Sequence, residues 1–512
     1  MGDLSWDGTT GRQLYAGQSL YEVTGGIYQV QGLEVSNMTI VEGDTGVIVI
    51  DPLISVETAA AAIGLYRAHR GDRPVTAVIY THSHGDYFGG VAGVTDGDVP
   101  ILAPVGFMEH GVGFGSATSS GTVSLLPPTV DITRTGQEET LDGVRVAFQL
   151  TPGTEAPSEM NLLFPERRAL CMADILTLRG PQVRDARIWS RYLTEAITLF
   201  ADRVDVMFAS HRQPTWGQEN IMRYLSEQRD VYAYLHDQTL RLLSKGYTGV
   251  EIAEMIQLPP ALERAWHARG YHGSVSHNVK AIYQRYLGWF DGNPANLWQH
   301  PPVERAKRYV DCYGGLDNVV AKAGEFAAAG DLRFAARLLQ HAVFAGPEDG
   351  DAKELLARVY ERLGHGAEDS TWRTFYLTGA QELREGINVT PIDLGTGMAA
   401  ALSIEQIFDT LAIRVDAPNA WHETITIDWR FSDLDESYRT TLRSGVLVHH
   451  PHRSAPSAGR ADLTLTLTKA ELLGMIAGKG LNGIAYDGDA DALNRLLSHL
   501  DEPDANFAIV TP

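Results

Sequence analysis

Apolar and polar positions alternate over residues 26–31 (GIYQVQ) and 38–42 (MTIVE), the period of a strand with one buried face. The run 46–51 (GVIVID) is apolar throughout and ends on an acid, which predicts a strand buried on both faces. Over 55–69 the spacing becomes helical, around the strong helix former TAAAA at 58–62. A second fully apolar strand, 75–80 (VTAVIY), runs directly into Thr81-His82-Ser83-His84. Strand patterning returns at 144–151, 169–172 and 204–209 (VDVMFA), the last ending on Ser210-His211. Polar residues thus collect where apolar strands end, which is where mixed α/β folds place ligands.

From about residue 218 the period is helical. Ile221, Tyr224, Leu225, Val231, Leu235, Leu240 and Leu243 line one helix over 219–245, with Gly246 as its stop. Amphipathic helices are expected over 321–345 and 351–364, punctuated by Gly346-Pro347, without the sustained repeat of a solenoid. From about 383 strands return at 424–431 (TITIDWRF), 444–449 and 462–467 (DLTLTL), flanked by helices at 403–411 and 469–476, with 451–459 the most loop-like stretch. The pattern predicts three domains: an α/β domain over 1–235, an all-α domain over 236–375 and an α+β domain over 376–512.

A length of 512 residues accommodates such a division, at about 100–200 residues per domain. The 42 basic against 64 acidic residues give a net charge of −22, which repels phosphate backbones and excludes nucleic acid as a partner. An anionic small molecule remains open, because it needs only a local cationic pocket. Two cysteines, Cys171 and Cys312, exclude a disulfide framework and point to a reducing compartment. With no basic-then-apolar leader at residue 1, a cytoplasmic location is expected. No apolar run of ~18 residues occurs, so no membrane span is expected.

The most specific local feature is THSHGDYFGG at 81–90. Two imidazoles one residue apart, leaving a strand, can bind one metal ion at ~2.0–2.1 Å, and Asp86 can offer a carboxylate to a neighbouring ion. Glu155 in TPGTEAP, Asp174 after the 169–172 strand and His211 also stand at strand ends. Each alone is ordinary; together they suggest one site.

That order of residues resembles the alkylsulfatase branch of the metallo-β-lactamase superfamily. The resemblance covers nearly the whole chain and is strongest in THSHGDYFGG, TPGTEAPSEMNLLFPERRAL, LRGPQVRDA and GYHGSVSHNVKAIYQRYLGWFDGNPANLW. It implies an αββα metallo-β-lactamase sandwich, an all-α dimerisation domain and a C-terminal α+β sterol-carrier-like domain. It further implies one zinc on His82, His84 and Glu155 and a second on Asp86 and His211, with Asp174 bridging. The chain departs from the family pattern at Tyr87, where a histidine is usual, at Asp174, where alkylsulfatases usually carry glutamate, and in the shortened stretch 174–178. A phenol, with an ordinary pKa near ~10, is a poor zinc ligand at neutral pH. One or two ions are therefore compatible with the ligand set, and its oxygen-rich second half also suits iron or manganese.

The resemblance implies Arg179 and Arg184 as sulfate-binding guanidinium forks. His277, Asn278 and Tyr283 are candidates for a wall contributed by the helical domain. Asp86, Tyr87, His277 and Tyr283 are the candidate catalytic residues. The implied reaction is metal-dependent hydrolysis of an alkyl or related sulfate ester by a homodimer. A metal-dependent lyase acting on a sulfated specialised metabolite, and a non-catalytic dimer binding an apolar ligand, are the alternatives.

Overall fold

The computed structural model describes residues 18–110, 121–174, 184–387, 392–393, 395–451, 459–502, 504 and 506–512. Its first part is built on two sheets. One holds β1 (Ser19–Thr24), β2 (Ile27–Gln31), β3 (Met38–Glu42), β4 (Val47–Ile50), β5 (Val75–Ile79), β6 (Ile101–Pro104) and β7 (Val130–Ile132) in sequential order. The pairs from β1 to β4 are antiparallel and those from β4 to β7 parallel. Helix α1 (Val56–Arg70) crosses between β4 and β5, capped by the Ser55 side chain on the Thr58 N–H. The short helix α2 (Gly85–Phe88) follows β5.

The second sheet runs β8 (Glu138–Leu141), β9 (Val144–Leu150), β10 (Met160–Phe164), β11 (Ala169–Cys171), β12 (Val206–Phe208) and β13 (Thr215–Trp216). All its pairs are antiparallel except β11 with β12, which are joined through helix α3 (Ala186–Phe200). Ile48, Ile50 and Ile79 of the first sheet meet Phe148, Leu162, Phe164 and Phe208 of the second to form the central core. The outer face of the first sheet is covered by Ile63 and Tyr66 of α1. The outer face of the second is covered by Trp189 and Leu193 of α3 and by helix α4 (Gln218–Leu243). The expected αββα sandwich is present.

The same outer core continues into the helical region through Ile252 of α5 (Gly249–Met255) and Val279 and Ile282 of α6 (Val275–Leu287). Beyond it α7 (Pro302–Cys312), α8 (Leu316–Ala328), α9 (Leu332–Ala345), α10 (Gly350–His365) and α11 (Ser370–Glu385) share a core of their own. The single helix expected over 321–345 is two, α8 and α9. Gly330 turns the chain at φ +91° and Asp331 caps the Phe334 N–H, signals an amphipathic period alone overrides. The edges expected at 235/236 and 375/376 fall inside the continuous helices α4 and α11.

The last part packs α12 (Ile404–Ala412) on a five-stranded sheet. Its strands are β14 (Thr424–Phe431), β15 (Glu436–Arg443), β16 (Val446–Pro451), β17 (Leu463–Leu467) and β18 (Ala485–Gly488), in the order β16-β15-β14-β17-β18. The strand expected at 444–449 begins two residues later because Ser444 and Gly445, both at positive φ, form the hairpin turn. Ala401 packs against Val78, Tyr80 and Phe88 of the sandwich. The chain then returns: the Ile509 and Val510 N–H groups donate to Glu382 of α11 at 2.8 and 3.0 Å. Among the described residues no helix is long and apolar enough to cross a membrane.

Candidate metal and active site

The polar strand ends converge at one rim of the sandwich, organised by Asp51 at the end of β4. Its Oδ1 accepts the Thr81 N–H at 2.8 Å, and its Oδ2 accepts the Thr81 and Ser210 hydroxyls at 2.8 and 2.7 Å. One buried carboxylate thereby ties the strand end carrying His82 to the one carrying His211, across the two sheets. The Thr81 oxygen also lies 3.1 Å from His82 Nδ1. With the single hydroxyl proton of Thr81 directed at Asp51, His82 Nδ1–H donates to Thr81, which puts the ring's lone pair on Nε2. Burial pushes the Asp51 carboxyl up to about 7, against the lowering effect of the Thr81 and Ser210 hydrogen bonds.

Glu155 rides a turn wrapped around a second buried carboxylate. Glu159 Oε2 accepts the Thr154 hydroxyl at 2.6 Å and the Glu155 and Ala156 N–H groups at 2.9 and 3.3 Å. Burial pushes Glu159 up to about 7, the Thr154 hydrogen bond lowering it and the Glu155 charge raising it. Held this way, Glu155 Oε1 lies 3.8 Å from His84 Nδ1, and the His82 and His84 rings are 4.9 Å apart. Arg184 binds the same glutamate twice, through Nη2 to Oε1 at 2.6 Å and through Nε to the backbone carbonyl at 2.9 Å. The Arg184 side chain is only 15% exposed and that of Glu155 5%, so the pair is sheltered from solvent.

On the other side the Tyr87 hydroxyl lies 2.9 Å from Asp174 Oδ2 and 2.6 Å from His211 Nε2. His211 and Asp174 are themselves 3.5 Å apart. His211 Nδ1 faces the Val35 carbonyl at 2.9 Å, and because a carbonyl only accepts, that nitrogen carries the proton. The Tyr87 ring bridges the two sides, 3.8 Å from the His82 ring. Asp86, half-buried in the first turn of α2, stands close enough for its charge to raise Asp51.

The alkyl sulfatase dimerisation family matches residues 248–386, the alkyl sulfatase C-terminal family 394–512 and the metallo-beta-lactamase superfamily 32–211. A linear primary-alkylsulfatase of a Pseudomonas species is 43% identical, over 98% of this chain and 82% of that protein. The chain belongs to the alkylsulfatase family. The alkyl/aryl-sulfatase BDS1 of Saccharomyces cerevisiae is 40% identical, over 98% of this chain and 85% of its own length. The solved structure of the stereoselective inverting sec-alkylsulfatase Pisa1 from a Pseudomonas species superposes with a TM-score of 0.94 at 38% identity, over 98% of this chain and 87% of that one.

Metallo-β-lactamase enzymes bind divalent metal, and the residues present fit that role unevenly. On the His82, His84 and Glu155 side the donor types are those of a zinc site. The 3.8 Å between His84 and Glu155 is close to the roughly 3.3 Å that separates two donors on one tetrahedral ion. On the Asp174 and His211 side a protein hydroxyl already lies between the donors. Among the described residues no three His, Cys, Asp or Glu side chains are gathered around a single ion position as they stand. The arrangement differs from the two-ion cluster that the family resemblance implies, because Arg184 draws on Glu155 and Tyr87 draws on Asp174 and His211.

The helical region reaches the site through His272, which the sequence did not single out. The His272 ring lies 6.0 Å from the His211 ring, with its Nδ1 3.2 Å from the Ser370 hydroxyl. Tyr271 beside it stacks under the Arg212 guanidinium at 4.8 Å. His277 instead faces Asp369 at 3.7 Å and the Trp372 ring at 4.6 Å. The Asn278 amide donates to the Ser274 carbonyl at 2.8 Å. Tyr283 is buried in the core shared by α3, α4, α5 and α6, its ring against Gly249. His277 and Tyr283 therefore face different neighbours. Arg179 lies outside the described residues. Asp51, Glu159 and His272 were each legible only as an acid ending an apolar strand, an acid closing TPGTEAPSE and a histidine in GYHG.

Proposed function

We propose that the chain hydrolyses the sulfate ester of an alkyl or related small molecule in a divalent-metal-dependent reaction. The observation that carries this reading is the sheltered Arg184 guanidinium set on Glu155 beside the His82 and His84 imidazoles, a local cation in a chain of net charge −22. A guanidinium fork matches two oxygens of a tetrahedral oxyanion and neutralises part of its charge.

His82, His84 and Glu155 are the residues that would hold an ion, with zinc the best match to their donors and iron or manganese the alternatives. The chemistry such an ion supplies is a water acidified toward neutral pH. Water adds across the ester to give the alcohol and hydrogen sulfate. Sulfate leaves readily as an anion, so the chain's main task is to hold that anion and exclude bulk water. His272, positioned by Ser370, borders the same space.

Protein reconstituted with zinc should release free sulfate from dodecyl sulfate or from a secondary alkyl sulfate, read by ion chromatography. No release from either ester by metal-loaded protein would falsify the hydrolase reading.

The dimerisation region carries Leu287, Trp289, Leu297 and Trp298 exposed at 52, 71, 58 and 96%, an apolar stretch that a second copy would cover. Replacing Trp289 and Trp298 together by serine should convert a dimer to a monomer in light scattering after gel filtration. An unchanged mass would remove these indoles from the interface. The two free thiols, buried Cys171 and exposed Cys312, suit a reducing cytoplasm.

A further inference from the structure

We propose that Tyr87 takes, with its own hydroxyl, the place a second ion would occupy between Asp174 and His211, so that each chain binds one divalent ion. This inference rests on the metal-dependent reading above and deepens it.

The phenol oxygen stands within hydrogen-bonding distance of both groups, 2.9 Å from Asp174 Oδ2 and 2.6 Å from His211 Nε2. Its single proton has two possible destinations, and both engage His211. If O–H donates to Nε2, the only lone pair of the imidazole is spent, because Nδ1 carries its proton toward the Val35 carbonyl. If O–H donates to Asp174, Nε2 must itself carry a proton to reach the phenol oxygen. In neither case does His211 offer a lone pair to a cation.

The ring is placed as firmly as its hydroxyl. Tyr87 is fully buried and packed 3.8 Å from the His82 ring, nearly perpendicular to His211 at 88°. Its neighbour Phe88 is fixed among Tyr80 and Phe107, at 6.1 and 5.5 Å. Swinging the phenol aside would open a packed core, so the hydroxyl is not readily displaced. The first side of the site makes no use of the Tyr87 oxygen; its donors are the two imidazoles and the Glu155 carboxylate, which Arg184 shares.

Metal content per chain, measured by plasma mass spectrometry after dialysis against excess zinc, tests the proposal without substrate. Wild type should retain about one equivalent and Tyr87→His about two, the added imidazole supplying the missing ligand. Tyr87→Phe removes the hydroxyl and returns the His211 lone pair without adding a donor, so it should take up a second ion more weakly than Tyr87→His, and no gain over wild type would overturn the wedge. Two equivalents in wild type, none in wild type, or one in a folded Tyr87→His variant overturns the proposal.

A second readout does not depend on Tyr87→His folding. Iron(III)-loaded wild type should lack a phenolate-to-iron charge-transfer band. A visible band that vanishes in Tyr87→Phe would make the phenol a ligand and overturn its role as a wedge. Sulfate release judges the hydrolase reading separately: one bound ion with no release sinks that reading and leaves this one standing.

Discussion

Arg184→Ala should lower kcat/KM for an alkyl sulfate by roughly 30- to 5,000-fold, the range expected when one partner of a sheltered, hydrogen-bonded charge pair is removed. The change acts twice. It withdraws the cation proposed to hold the sulfate, and it leaves the buried Glu155 carboxylate without the guanidinium now 2.6 Å from it. Arg184→Lys separates the two effects, because an ammonium keeps the charge but not the fork. It should restore part of the loss, mainly through KM. Metal content of both variants tells whether Glu155 has been disturbed. Unchanged kcat and KM in Arg184→Ala would take this arginine out of the substrate site.

Asp51→Ala should be the most destabilising single change at the rim. It strips the acceptor from the Thr81 N–H, the Thr81 hydroxyl and the Ser210 hydroxyl, each a buried donor whose orphaning costs about 1–3 kcal/mol. A total loss of about 3 kcal/mol or more is a large share of the 5–15 kcal/mol typical of a folded domain. Asp51→Asn keeps an oxygen toward Thr81 and should cost less. It also loosens the Thr81 contact to His82, so metal affinity should fall by about 10- to 100-fold, as it does when outer partners of metal-binding histidines are lost.

Wild type and Asp51→Asn should differ in pH dependence as well. Burial holds the folded pKa of Asp51 at about 7, above its ordinary 3.8, and that of Glu159 at about 7, above 4.5. A carboxyl raised by folding contributes stability that is fully present below its unfolded pKa and is lost as pH rises through the folded one. From these two groups the metal-free protein should lose stability between about pH 4 and pH 7 and then level off. Asp51→Asn removes one of the two contributions. In urea denaturation with chelator the gap between wild type and Asp51→Asn should therefore shrink as pH rises over that window. A gap constant with pH would mean that Asp51 does not titrate there.

Much of the architecture was readable because apolar strands end abruptly on polar residues. The run 46–51, the step from VTAVIY into Thr81-His82-Ser83-His84, and VDVMFA before Ser210-His211 mark three of the strands at the rim. What local pattern could not supply was pairing across distance. Asp51 bonds Ser210 across 159 positions, and nothing near either residue signals the partner. His272 was passed over for His277 because a helical period says which face a residue shares but not which domain it meets. Tyr87 was visible as a departure from the family pattern, whereas its position between Asp174 and His211 arises only when distant stretches fold together. The edges of the helical region were not legible, since α4 and α11 each pack on both neighbours without a break in composition.

The returning tail has a mechanical consequence. Glu382 stands at the exit of the helical region, and the last residues close back on it after 128 positions. The C-terminal sheet is therefore moored at its beginning and its end, near one point, in the manner of a module inserted into a host rather than hung from its terminus. A single tether would let it tumble; the returning tail adds a second hold to the one that Ala401 makes on the sandwich core. Loop closure charges the unfolded module only weakly for its length, about (3/2)RT ln n, so this second mooring comes at small entropic expense.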